Sequence, residues 1–361
     1  MLMGRNARTG PVDLFVLGLI TVVAGFVRIH RIDSPRTPIF DESYAGYITN
    51  RYRHGNEYFF DLHPPFGRLV QYYVGVVALG APECMYTKDM QFVECDMWQM
   101  RIVPCVCGTL LVPLSYAIAR LHGASPVGGV CAAFFIAADN MLLTLSRIHL
   151  LDIVTVFSIA LTVFCHARFL RCADCVIFSS MFAPRHLDKH KRQLSVCPRL
   201  SLSALIQGLV WLILDGACLG CAVSSKFGVA APTAIWCVLC NGLACWQWSC
   251  HRHLQKPAPE NGRALRVLSS YVVLFVFLTS ILAAVALLEY FVLLAWHFSL
   301  IPWKNVETGS YASYLFTKKR VSAEAMTPLD LIFEAFLLRY VDYDGNRHGI
   351  YDKVVDFTID Q

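Results

Sequence analysis

Apolar runs long enough to cross a bilayer recur along this chain and constrain it more than any other feature. A spanning helix needs about 20 mostly apolar residues. Seven stretches qualify, at roughly 12–29, 102–120, 126–145, 149–170, 203–223, 227–247 and 268–298. Composition agrees. The 361 residues are 56% hydrophobic and 16% charged, where a soluble domain carries about 25% charged residues, and mean hydropathy is +0.50. The expected fold class is therefore all-α and polytopic, with about seven transmembrane helices. The segment from Gly67 to Ala81 is also apolar but only 15 residues long. It suits a helix lying at the membrane interface or partly buried in protein.

Basic loops set the expected orientation. Residues 171–202 carry Arg171, Arg185, Lys189, Lys191, Arg192 and Arg199, and residues 248–266 carry Arg252, Lys256, Arg263 and Arg266. Both loops belong on the cytosolic side. Counting spans places the N-terminus, with Arg5 and Arg8, on that side too. The first segment resembles a signal peptide, but Arg28, Ile29, His30 and Arg31 follow it instead of a small-residue cleavage site, so it reads as an uncleaved span. Residues 30–101 and everything after about 299 then face a lumen. This topology is the reverse of that of the usual seven-helix receptor.

Several signals are weak. The formal charge of +5 comes without a basic-aromatic patch, so nucleic acid is not an expected partner. Most of the 15 cysteines lie inside apolar runs and read as small packing residues. The Cys172-x-x-Cys175 and Cys237-x-x-Cys240 spacings lack a partner pair at zinc-finger distance. Cys84 and Cys95 flank a polar loop and are disulfide candidates if that loop is lumenal. No Asn-x-Ser/Thr sequon is present.

Against this apolar background, ionisable groups gather directly after the first span. Asp41 and Glu42 are adjacent, so on a helix they point about 100° apart and have different jobs. One can face a reaction centre while the other holds a neighbouring cation. A solvated loop with scattered charges is the alternative. Asp61-Leu62-His63-Pro64-Pro65 follows. Proline restricts the residue before it to extended geometry, so His63 sits on stiff backbone and can orient the acidic pair. Equally, the prolines can simply start the next helix. Arg101, Ser146, Arg147, Asp152 and Lys226 all fall at lumenal span ends. Arginines there can be snorkelling anchors. Two of them above an acidic loop, with Lys226, fit a phosphate clamp. Asp215 lies inside a span, where it is a functional candidate or a neutral, hydrogen-bonded group.

Together these residues point to a reaction class. A sugar linked to a lipid phosphate already has a good leaving group, which needs cations more than a strong acid. The acceptor hydroxyl needs one carboxylate as base. Glycosidases need two carboxylates because their leaving group is poor. One acidic centre plus a cationic clamp therefore suits a glycosyltransferase that uses a lipid-phosphate donor.

The order and spacing of short motifs sharpen this. They are Phe40-Asp41-Glu42, Tyr58 to Arg68, Met100-Arg101-Ile102-Val103-Pro104, Gly108 to Pro113, Asp139-Asn140, Ser146 to Asp152, Gly220 with Ser224 to Lys226, and His297-Phe298. In these the chain resembles the dolichyl-phosphate-mannose protein O-mannosyltransferases, of the GT-C glycosyltransferase fold. The resemblance implies an endoplasmic reticulum membrane enzyme that moves mannose from dolichyl phosphate mannose to Ser or Thr hydroxyls of secretory proteins, with inversion. It implies Asp41 as the catalytic position, supported by Glu42 and His63. It implies Arg101 and, by extension, Arg147 at the lipid phosphate; Lys226 and Arg68 are expected to join them, with Asp61, Asp152 and His297 supporting, and no metal or other cofactor is expected, because the cation clamp can serve and no clear ligand set stands out in the sequence. It implies a homo- or heterodimer with a family member. Residues 1–298 form the expected catalytic module, with first loop 30–101. Residues 299–361 form a lumenal tail, expected to precede a MIR-type region that this sequence does not contain. Arg68 stands where the family more often has Lys, and Glu307 to Tyr311 lack the Asp of a lumenal Gly-x-Gly-Asp-like stretch. A related transferase of another polyprenyl-phosphate sugar, or an inactive fragment or partner subunit, are the alternatives.

Overall fold

The computed structural model describes residues 10–39, 41–55, 61, 63–83, 96–181, 202–254 and 262–301. Among these the chain is helical throughout, with no strand. The helices are α1 (Pro11–Ile29), α2 (Glu42–His54), α3 (Phe66–Gln71), α4 (Trp98–Leu121), α5 (Pro126–Ala138), α6 (Asn140–Leu145), α7 (Asp152–Met181), α8 (Leu202–Val223), α9 (Phe227–Leu254) and α10 (Arg263–Leu300). Six of them (α1, α4, α7, α8, α9 and α10) are long and apolar enough to cross a membrane. The Cys84–Cys95 pair, most of the tail and the 307–311 stretch lie outside the described residues.

The expected single span over 126–145 is instead two helices of 13 and 6 residues. Asp139 causes the break. Its backbone is extended (ψ 118), and its carboxylate accepts from Leu142 N at 2.7 Å, capping α6. A carboxylate that satisfies an orphan N–H starts a helix more readily than it continues one. The expected interfacial helix over 67–81 is α3 running directly into a π-helical turn, Tyr72–Ala78. Gly75 lets that turn approach α4, since a Cβ there would stand 2.8 Å from Met100 Sδ.

Two packed groups frame the bundle. Ala24 of α1, Val112 and Tyr116 of α4 and Ala133 of α5 form one. Phe169 of α7, Leu212 and Leu219 of α8, Cys237 of α9 and Leu282 of α10 form the other. The first loop is tied to this frame by a third cluster, in which Ile48 and Tyr52 of α2 meet Leu69 and residues Tyr290, Leu294 and Phe298 of α10. Tyr52 Oη also lies 2.6 Å from His297 Nδ1. At the start of α3, Phe66 N donates to Ser224 O at 2.9 Å, joining the first loop to the turn between α8 and α9. The first loop and the ends of α1, α4, α7, α8, α9 and α10 therefore meet on one face of the bundle.

Candidate active site

Glu42 is fully buried, and its carboxylate accepts four hydrogen bonds. Arg101 donates through Nε to Oε1 at 2.8 Å and through Nη2 to Oε2 at 2.7 Å. His149 N reaches Oε1 at 2.7 Å and Ile39 N reaches Oε2 at 2.9 Å. Arg101 spends its other N–H groups on the carbonyls of Ile32 (3.0 Å), Pro35 (2.8 Å) and Thr37 (3.4 Å). A guanidinium has five N–H donors, and all five are used. The expectation that Arg101 takes the lipid phosphate is not met by this geometry. It is an internal brace that joins α4 to the first loop through Glu42.

Asp41 is the opposite of its neighbour. It is exposed, and its side chain makes no capping bond to α2. The divergence expected of adjacent helical carboxylates is what the backbone delivers: Glu42 turns inward to a cation and Asp41 turns outward. Tyr44, three residues on and on the same face, leads to the next group. Its hydroxyl contacts Asp61 Oδ1 at 3.4 Å, and its ring lies 5.5 Å beneath the Arg68 guanidinium.

Asp61 and Arg68 form a second buried pair, with Nε to Oδ2 at 3.0 Å. His63 N donates to Asp61 Oδ1 at 3.0 Å. Burial alone would raise the Asp61 carboxyl, but the Arg68 guanidinium and the His63 N–H outweigh it and hold the group below the usual carboxylate range. The His63 ring is pushed down by burial, with Lys226 and Arg68 adding to the effect against the pull of Asp61 and Asp152. It is therefore a neutral imidazole in a cluster of fixed charges. Lys226 Nζ donates to Asp152 Oδ1 at 2.8 Å, and both side chains stay partly open, at 23% and 33%. Arg147 donates to the carbonyls of Val27 (2.8 Å), Arg28 (3.3 Å) and Arg31 (3.1 Å). It thereby satisfies the end of α1, including a left-handed Arg31 (φ 50). Arg147 is two residues from His149, whose amide touches Glu42. Asp41, Arg101 and Arg147 thus share this face.

His297, an expected supporting residue, is buried against Tyr52 and positions α2 on α10. Three contributors were not singled out from the sequence. Tyr44 is one. Arg28 is another; buried at the end of α1, it reaches Ser146 Oγ at 3.3 Å. His149 is the third, and both its ring nitrogens are buried without a partner. Burial first, then Arg68 and Arg101, push that ring down to about 3. An arginine at a span end looks like an anchor in sequence, so Arg28 carried no distinguishing signal. Near Gly108 the packing leaves room for hydrogen only, because a Cβ would collide with Ser146.

Among the described residues the fold is an all-helical bundle with six candidate membrane spans, as the GT-C fold class leads one to expect. Residues 18–179 match the sequence model of the family described as dolichyl-phosphate-mannose-protein mannosyltransferase. Dolichyl-phosphate-mannose--protein mannosyltransferase 6 of Candida albicans is 27% identical over 224 residues, covering 60% of this chain and 24% of that protein. Protein O-mannosyltransferase 1 of Drosophila pseudoobscura pseudoobscura is 34% identical over 170 residues, covering 45% and 18%. The solved S. cerevisiae protein O-mannosyltransferase Pmt1-Pmt2 complex bound to the sugar donor matches with a TM-score of 0.56 at 21% identity, over 82% of this chain and 35% of that one. This likeness carries the fold. The chain is a homologue of the protein O-mannosyltransferases and spans about a quarter or less of the length of these two curated relatives.

Proposed function

We propose that this chain transfers mannose from dolichyl phosphate mannose to Ser or Thr hydroxyls of secretory-pathway proteins, with inversion. The observation that carries the reading is the exposed Asp41 carboxylate beside a Glu42 already saturated by four hydrogen bonds. Only Asp41 of the pair is left to accept a proton. The acceptor oxygen forms a bond to the anomeric carbon as its proton passes to Asp41, and the bond from that carbon to the phosphate oxygen breaks. Dolichyl phosphate leaves with the electron pair. Lys226 and Arg147, the partly open cations of this face, balance its charge. Arg68, His63, Asp61 and Asp152 fix their positions, and Glu42, Arg101 and His297 brace the loop. The step draws on no cofactor beyond the lipid-linked donor. The names of the relatives and the donor in the solved neighbour support the substrate.

The same reading puts the protein in the endoplasmic reticulum membrane, with the N-terminus cytosolic and the first loop and tail lumenal. The basic residues of 171–202 and 248–266 support that orientation. One further reading has an observation behind it: the solved neighbour is a complex of two family members. In that case this chain works as a subunit beside a homologue. Mannosyl transfer to a Ser/Thr peptide in membranes that contain this chain alone separates the two. Transfer that disappears in Asp41→Asn supports the self-sufficient enzyme. Transfer that requires a co-expressed homologue, and is indifferent to Asp41→Asn, supports the subunit.

A further inference from the structure

A second polar cluster lies in the middle of the bundle and takes no part in the chemistry above. His166 of α7, Asp215 of α8 and Cys237 of α9 each offer one ligand-type atom, and these atoms all lie within 4.8 Å of one another. All three residues are at 0% exposure. The His166 ring packs edge-on to Trp236 at 5.2 Å, which closes that side. Fourteen residues of α7 separate His166 from Asp152, a rise of about 21 Å. The cluster is therefore remote from the first-loop face.

A histidine–aspartate pair does not by itself account for the geometry. His166 Nδ1 and Asp215 Oδ2 are 2.7 Å apart, but His166 Nε2 and Asp215 Oδ1 are buried with no hydrogen-bond partner. Hydrocarbon surroundings give such atoms no water to turn to. A cation among them removes the deficit. Imidazole, thiolate and carboxylate are the ligand types that zinc takes, in a tetrahedron whose ligand atoms stand about 3–4 Å apart, so the observed spread closes with small side-chain rotations. The charges also balance. One carboxylate and one thiolate neutralise a divalent cation, and a neutral cluster is the form the membrane interior tolerates best.

We propose that His166, Asp215 and Cys237 bind a zinc-class divalent cation that ties α7, α8 and α9 together in mid-membrane. Binding exchanges the Cys237 thiol proton for the metal, and the proton leaves to solvent. The site is structural. It stands whether or not the chain transfers mannose.

The test is the metal content of the full chain, expressed in zinc-replete cells, purified in detergent and measured by mass spectrometry. About one zinc per chain is expected, falling ~10-fold or more in His166→Ala and Cys237→Ser and unchanged in Cys245→Ser, a buried α9 thiol outside the cluster. A second measurement covers variants that fail to fold: wild-type protein stripped of metal and titrated with Co2+ should develop a thiolate-to-cobalt charge-transfer band. Wild-type protein with neither zinc nor a cobalt band overturns the proposal. So does zinc that persists unchanged in both folded variants.

Discussion

The Glu42 carboxylate grips the Arg101 guanidinium through two hydrogen bonds of 2.8 and 2.7 Å, with both side chains at 1% exposure or less. Removing one partner of such a pair leaves a buried charge without compensation, which costs about 3–5 kcal/mol. Arg101→Ala and Glu42→Gln should therefore each lower the unfolding temperature of the detergent-purified protein sharply. The double variant should be no worse than either single one. Additive losses in a double-mutant cycle would contradict the brace. If Arg101 instead binds the donor phosphate, Arg101→Ala will raise the KM for donor and spare the unfolding temperature.

Asp41→Asn should behave in the contrary way. The side chain is exposed and makes no capping bond, so stability should move by no more than ~0.5 kcal/mol. Loss of a positioned general base should cost transfer about 100- to 10,000-fold. Steady-state transfer rates together with thermal unfolding of the same preparation check both halves.

Lys226 should report on the lipid phosphate. Its pair with Asp152 is partly open, and such pairs are worth roughly 0–1 kcal/mol. Lys226→Met should thus leave the fold intact. A lost charge-assisted contact of about 1.5–3 kcal/mol predicts a KM for donor raised ~10- to 100-fold. An unchanged KM would remove Lys226 from the clamp.

Stability should fall on mild acidification, and His149 supplies the reason. Its ordinary value is 6.5, and burial holds it at about 3 in the folded chain. Below pH 6.5 the unfolded chain takes up a proton that the folded chain refuses. Stability is then lost as pH falls from 6.5 towards 3, at up to ~1.4 kcal/mol per pH unit for one such group. His63, also pushed down, adds in the same direction. Asp61 adds a further loss only below its ordinary 3.8, where the unfolded carboxyl takes up a proton that the folded one, held lower, refuses. In His149→Leu the backbone amide that serves Glu42 remains. Unfolding measured from pH 7 to 5 should lose most of the His149 share of the slope, and an unaltered slope would refute this assignment.

Much of the architecture was legible because bilayer crossing imposes a length on apolar segments, and α1, α4, α7, α8, α9 and α10 were visible for that reason. The divergence of Asp41 and Glu42 followed from helical geometry alone. The break at Asp139 was less visible, since a single carboxylate inside an apolar run says nothing of whether it caps a new helix. The site was legible as a set of residues and much less as a set of roles. Arg101, Arg147 and Lys226 looked alike as cations at span ends, yet one is saturated, one serves the end of α1 and one stays partly open.

What the sequence by itself determined was the position of the six long apolar segments that became α1, α4, α7, α8, α9 and α10, the crowding of ionisable groups after the first of them and the family motifs. These depend on composition and on spacing along the chain, which local physics reads directly. Which carboxylate is free, which arginine is a brace, and that His166, Asp215 and Cys237 meet at one point were decided only by the tertiary structure. Each depends on donors and acceptors brought together from separate helices, and whether a polar atom is satisfied is a property of the packed bundle, not of the chain that enters it.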